Sequence, residues 1–139
     1  MKKPHIGISA CLLGEKVRFN GGHKKDNWIT STLAKSAEFT SFCPEVGIGL
    51  SVPRPTLRLV GKDNDIIAVD SDTQTKDVTQ DLRDYFHRNK GLIGELDGYI
   101  LMQGSPSCGM ERVKLYGDNA MPEKIAAGIF AEELQNQFP

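Results

Sequence analysis

Three side chains in this sequence can ligate a soft metal or act as a sulfur nucleophile: Cys11, Cys43 and Cys108. A secreted disulfide framework favours an even and denser set, so an odd trio points to buried thiols, a nucleophile or metal ligation. Their separations match no C-x-x-C pair, which sets aside the zinc-ribbon and common ferredoxin patterns. Each one stands at the exit of a predicted strand, Cys43 beside Pro44, Cys108 beside Gly109 and Cys11 three residues before Gly14. If the three meet in space, three thiolates suit an iron–sulfur cluster with one incompletely ligated iron, or a zinc ion with an open fourth position. Taken singly, each reads as a packed thiol, because free Cys is among the most buried residue types.

The elements that must position them alternate along the chain. Residues 5–10 read as a buried strand that ends at Cys11. A Gly-rich loop follows, then a short helix over 28–37 capped near Asp26 or Asn27. Residues 39–42 form a second strand, closed by Cys43-Pro44 because proline lacks the amide that a central ladder needs. The stretch 46–59 carries Gly47, Gly49, Pro53 and Pro55 and predicts a loop with short extended pieces. Residues 56–60 and 66–69 pair as a hairpin about a turn at 62–65.

An amphipathic helix occupies 77–86, with Gly91 and Gly94 marking its end. A third strand at 97–102 runs into Gln103-Gly104-Ser105-Pro106-Ser107-Cys108-Gly109, which is loop chemistry throughout. An extended piece over 112–116 and a helix starting at Pro122 and running through Leu134 complete the chain. Strands alternating with helices predict one α/β domain over residues 1–139, a Rossmann-like three-layer fold with a mainly parallel sheet and a small hairpin. In such sheets the loops leaving the carboxyl ends of the strands share one edge, where ligands bind, and all three cysteines fall on those loops.

Composition frames these readings. The chain has 139 residues, 39% hydrophobic and 25% charged, with formal net charge −1. That is the profile of one soluble globular domain, and it argues against a broad nucleic-acid surface. No apolar run approaches a membrane span and the opening residues do not resemble a signal peptide, so a cytoplasmic location without membrane attachment is expected. Arg18, Lys24, Lys25, Arg54 and Arg58 read as a solvated face more readily than as a rim for phosphate or RNA. Trp28, at a helix start, reads as a core residue. His5, His23 and His87 show no ligand spacing, although His23 stands in the Gly-rich loop where it could line a pocket.

Three blocks carry a more specific signal: Ser9-Ala10-Cys11-Leu12-Leu13-Gly14; Cys43-Pro44-Glu45-Val46-Gly47-Ile48-Gly49-Leu50 with Pro53-Arg54-Pro55; and Ser105-Pro106-Ser107-Cys108-Gly109. Together, in this order, they resemble the signature of the thiouracil desulfidase family. The resemblance implies a [4Fe–4S] cluster on Cys11, Cys43 and Cys108 with one iron free of protein ligands. It implies removal of sulfur from a thiolated pyrimidine, thiouracil or 4-thiouridine, with water replacing hydrosulfide and no net electron transfer. The family's acid–base carboxylate matches Glu45 and its active-site serine matches Ser105. Read alone, Glu45 is a solvated carboxylate and Ser105 a turn residue opening Ser-Pro.

The tail of the chain is similar to a branch in which this domain precedes a second one and which is linked to 4-thiouridine in transfer RNA. The partners implied are a small thiopyrimidine or thionucleoside and, in that branch, tRNA. The competing expectation is a non-catalytic module that holds a cluster or zinc for a partner domain. Two departures bear on how substrate is oriented: Phe19-Asn20-Gly21 stands where the family often has aromatic-Asp-Gly, and Gly104 where it often has Lys.

Overall fold

The computed structural model describes residues 3–62, 65–73, 75–117 and 123–138. Strand β1 (His5–Ser9) lies between β2 (Glu38–Phe42) and β5 (Gly98–Ile100), parallel to both. The register sets His5 opposite Glu38 and Ser9 opposite Phe42, so β1 and β2 end level with each other. A second sheet has the order β4-β3-β6-β7, built from β3 (Leu57–Lys62), β4 (Asp65–Asp70), β6 (Val113–Tyr116) and β7 (Glu123–Ala126). The β3–β6 pair is parallel and the other two are antiparallel. The fold is α/β and Rossmann-like, with a mainly parallel sheet as the sequence implies. The β3–β4 hairpin is present, and it forms one half of the second sheet.

Helix α3 (Thr79–Gly94) joins the two sheets. Its Leu82 packs with Leu57 and Leu59 of β3, Val113 of β6 and Ile129. One turn further on, Phe86, and later Ile93, pack with Phe42, Phe130 and Leu134 over the parallel sheet. Helix α4 (Ile129–Gln137) lies against α3 and supplies Ile129 to one cluster and Phe130 to the other. Burial of side chains of this size contributes about 1.5–3 kcal/mol each. The helix pair therefore fixes how the two sheets meet.

Several local expectations are corrected. Pro44–Gly47 forms a short helix, α2, because Pro44 occupies its first turn, where a missing amide costs nothing. Helix α3 begins at Thr79, later than expected, and ends at Gly94, the second of the two glycines expected to mark its end; it passes Gly91 because buried Ile93 is worth more than the propensity lost at one glycine. The C-terminal helix begins at Ile129, not at Pro122, which lies outside the described residues. Residues 123–126 are a strand instead, with Ile125 exposed and Ala126 buried in the alternation of a sheet paired to β6. The first helix, α1 (Asn27–Ser31), is shorter than its pattern suggests and passes into a 3-10 turn at Leu33–Lys35; Asp26 caps it, accepting the Ile29 amide at 3.0 Å. Trp28 is 60% exposed, so it is no core residue. Of the expected turn at 62–65, residues 63 and 64 lie outside the described residues. No helix among the described residues is long and apolar enough to cross a membrane.

Candidate active site

The carboxyl ends of β1, β2 and β5 open onto a cavity of about 230 Å³, and all three cysteines line it. Cys11 sits in the 3-10 turn that follows β1 directly. Its carbonyl accepts the amides of Gly14 and Lys24 at 3.2 and 2.9 Å, pinning the loop back on itself. Cys43 immediately follows β2 and precedes α2. Cys108 lies in the loop after β5, and that loop is drawn toward β1 by the Met102 amide, which donates to Ser9 Oγ at 2.8 Å.

Two close approaches set the cysteine loops in place. A Cβ on Gly47 would overlap the Tyr85 ring, so only glycine lets α2 lie this near α3. A Cβ on Gly128 would stand 2.6 Å from the Ser107 carbonyl oxygen. That tight contact lets the start of α4 hold the Cys108 loop: the amides of Gly128, Ile129 and Ala131 donate to the carbonyls of Gly109, Pro106 and Ser107 at 2.8, 3.0 and 3.0 Å.

All three thiols are free, Cys11 and Cys108 buried and Cys43 partly so. Burial raises the pKa of Cys11, with neighbouring Cys43 adding to the rise. Burial likewise raises Cys43 and pushes Cys108 up to about 12 against opposing bonds from Ser9 and Ser107. Three thiols around one space, two buried and one partly so, each reluctant to ionise alone, form a donor set that a cationic iron–sulfur core would satisfy. Among the described residues no three Cys, His, Asp or Glu side chains stand close enough to hold one metal ion.

Glu45, in the first turn of α2, and Ser105 both line the same cavity. Glu45 Oε1 accepts from Arg54 Nε at 3.1 Å, and Oε2 accepts from Ser107 Oγ at 3.0 Å. Ser105 Oγ accepts the amides of Ser107 and Cys108 at 3.2 and 3.1 Å and lies 3.0 Å from Ser107 Oγ. The sequence reading thus brings all five of its site residues to one cavity. It missed Ser107 as a partner of Glu45, and it read Arg54 as part of a solvated face. The signal for Ser107 is the Ser-Pro-Ser-Cys turn itself, in which one serine caps the backbone and the other faces inward.

A scan against protein-family models matches residues 6–139 to the 2-thiouracil desulfurase family. The chain belongs to that family. Among solved structures it is similar to a [4Fe-4S]-dependent thiouracil desulfidase, TudS, with 30% identity and a TM-score of 0.73, covering 97% of this chain and 87% of that one. No curated protein matches. Within this desulfurase-family domain, Arg18 and Phe19 also line the cavity, with the Arg18 guanidinium 5.5 Å from the Phe19 ring centre. Asn20 shapes that loop by accepting the Gly22 amide at 2.8 Å. Gly104 has φ +74, a conformation that favours glycine over any residue with a side chain. Lys24, Lys25 and His23 are exposed and do not line the cavity. Arg58 lies instead in an adjoining groove of about 680 Å³ with Arg112 and Lys114, its guanidinium 4.1 Å from the Tyr116 ring centre.

Proposed function

We propose that this protein is an iron–sulfur desulfidase that converts thiouracil or 4-thiouridine to uracil or uridine with release of hydrosulfide. The observation that carries the reading is the convergence of Cys11, Cys43 and Cys108 on one cavity beside a carboxylate held by two donors. Family membership and the [4Fe-4S]-dependence of the structural neighbour support it. The three thiolates would hold a [4Fe–4S] cluster, leaving one iron without a protein ligand. When bound, such a cluster supplies a Lewis acid that polarises a soft thione sulfur, so no net electron transfer is required. The [4Fe-4S]-dependence of the structural neighbour favours the cluster over zinc.

The chain's own residues supply the rest. Glu45 accepts a proton from the attacking water or returns one to a ring nitrogen at its cavity-facing carboxylate. The Ser105 hydroxyl proton goes to Ser107 in the free protein, and the edge of a bound pyrimidine would have to compete with Ser107 for it. The Arg18–Phe19 segment walls the cavity and limits the entry of bulk water. Free thiols of this kind suit the reducing cytoplasm.

Anaerobic reconstitution tests the reading. Iron and acid-labile sulfide should reach four each per chain, and hydrosulfide should appear from a panel of 2-thiouracil, 4-thiouracil, 4-thiouridine and thiolated tRNA. A protein that binds stoichiometric zinc, stays colourless and releases no hydrosulfide would instead be a non-catalytic metal module.

A further inference from the structure

Arg54 has the charge of a substrate-binding cation and the surroundings of a buttress. Its side chain is 5% exposed although it lines the cavity. Each of its three nitrogens donates to the protein: Nε to Glu45 Oε1 at 3.1 Å, Nη1 to the Ser51 carbonyl at 3.2 Å and Nη2 to the Val17 carbonyl at 2.9 Å. Its backbone amide donates to the Phe19 carbonyl at 2.7 Å. These four bonds join the loop after β1, the start of α2 and the loop before β3.

Ser107 takes the other oxygen of Glu45. It is 2% exposed, so its hydroxyl serves the protein and not a ligand in solution. A hydroxyl has one proton and two acceptor sites. The two amides that donate to Ser105 Oγ occupy its acceptor sites, which directs the Ser105 proton to Ser107 Oγ and leaves the Ser107 proton for Glu45 Oε2 at 3.0 Å or the Cys108 sulfur at 3.7 Å, of which the carboxylate is the nearer and stronger acceptor. The polarity of this chain is therefore fixed by the backbone of the Cys108 loop. Charge-assisted bonds of this type are stronger than neutral ones and hold geometry well.

We propose that Arg54 and Ser107 are positioning residues for Glu45, one on each carboxylate oxygen, and that they hold it in a single orientation toward the cavity. The role of Glu45 in the reaction rests on the desulfidase reading above; the way it is held does not.

The test has one arm that needs no turnover. In 15N-labelled protein, before and after reconstitution, the Arg54 Nε–H should exchange with solvent far more slowly than that of a surface arginine, and Glu45→Ala should abolish the protection. In the loaded enzyme, Arg54→Gln and Ser107→Ala should each lower kcat by about 10- to 100-fold. KM should stay within about 3-fold of the parent, iron content should be unchanged, and Arg54→Lys should recover part of the loss. In a Glu45→Ala background, Arg54→Gln should cost less than about 2-fold more, because the group it positions is gone. A raised KM with kcat retained would make Arg54 a substrate-binding cation and overturn the assignment, as would rapid exchange of its Nε–H in the parent protein. If Arg54→Gln does not fold, the parent exchange rate and Ser107→Ala still decide. A protected Nε–H in a protein that releases no hydrosulfide would remove the desulfidase reading and leave the positioning geometry standing.

Discussion

The cavity has two halves that differ in completeness. On the carboxylate side, Glu45 has a donor on each oxygen, Arg54 donates through three nitrogens, and Ser105 and Ser107 satisfy one another. On the thiol side, three cysteines are held in place by their loops and carry raised pKa values that the neighbouring donors offset only in part. Buried polar groups are normally satisfied by the protein itself, and a cluster of buried groups that are not invites a ligand. The chain is thus finished where it would handle protons and unfinished where it would hold metal. Both halves hang on the same loops: Cys43 and Glu45 flank Pro44, and Ser105, Ser107 and Cys108 share one turn.

The largest effect should come from the unfinished half. Cys11→Ser, Cys43→Ser and Cys108→Ser should each abolish bound iron and hydrosulfide release after anaerobic reconstitution, because a cluster on two thiolates lacks a corner. Full iron content in any one of them would take that residue out of the ligand set. Glu45→Gln should do the reverse, keeping iron and sulfide at the parent level while lowering turnover by about 10²- to 10⁴-fold, the usual contribution of a positioned acid–base group. If both kinds of variant lost iron equally, the division between the halves would fail.

This division was only partly legible in the sequence. The thiols were visible because Cys43 and Cys108 stand beside Pro44 and Gly109, and because β1, β2 and β5 read as short strands that end before Cys11, Cys43 and the Cys108 loop. The holding of Glu45 was not, because Arg54 sits between two prolines in a segment with no period, and its partners Val17 and Ser51 contribute backbone carbonyls that any residue could supply. Helix α2 was hidden for a related reason: four residues are too few to show a 3.6-residue period, and Gly47 and Gly49 read as loop. The strand at 123–126 was hidden because alternation over four residues resembles a helix start when Pro precedes and Glu-Lys follows. In each case tertiary pairing, which no local pattern encodes, settled the conformation.

Acid–base behaviour sharpens the contrast at a smaller scale. Cys108 has its ordinary thiol value of 9.0 in the unfolded chain and is pushed up to about 12 by burial in the folded one. A raised value in the native state means the native chain keeps its proton where the unfolded chain has lost it. The stability linked to that thiol is complete below about pH 9 and falls as pH rises toward 12. Cluster-free protein should therefore show a falling denaturation midpoint across this window, and Cys108→Ala should flatten the slope. Chemical denaturation at half-unit pH steps measures it; an unchanged slope would mean that the thiol side is not under the strain assigned to it. Reconstituted protein should show no such fall, since a thiolate bound to metal has already given up its proton.

The smallest effect tests the shared scaffold. A methyl on Gly128 meets the backbone of Ser107 and Cys108 at 2.5–2.9 Å, and backbone held by three α4 amides has little room to give. A methyl on Gly47 meets instead the ring of Tyr85, a side chain that can tilt if its neighbours in the α3–α4 cluster allow. Overpacking of this kind costs about 1–3 kcal/mol, so Gly128→Ala should lower the denaturation midpoint by more than Gly47→Ala does. The functional consequence should differ in kind as well. Gly128 supports the turn that carries Ser105, Ser107 and Cys108 together, so its displacement should reduce iron content and the turnover of whatever iron-loaded protein remains. Gly47 lies beyond Cys43 and Glu45 on α2, and its effect should be the milder on both. If Gly128→Ala lowered stability yet left iron content and turnover at the parent level, the Cys108 turn would owe its shape to its own Ser105 bonds, and α4 would be a support for the core alone.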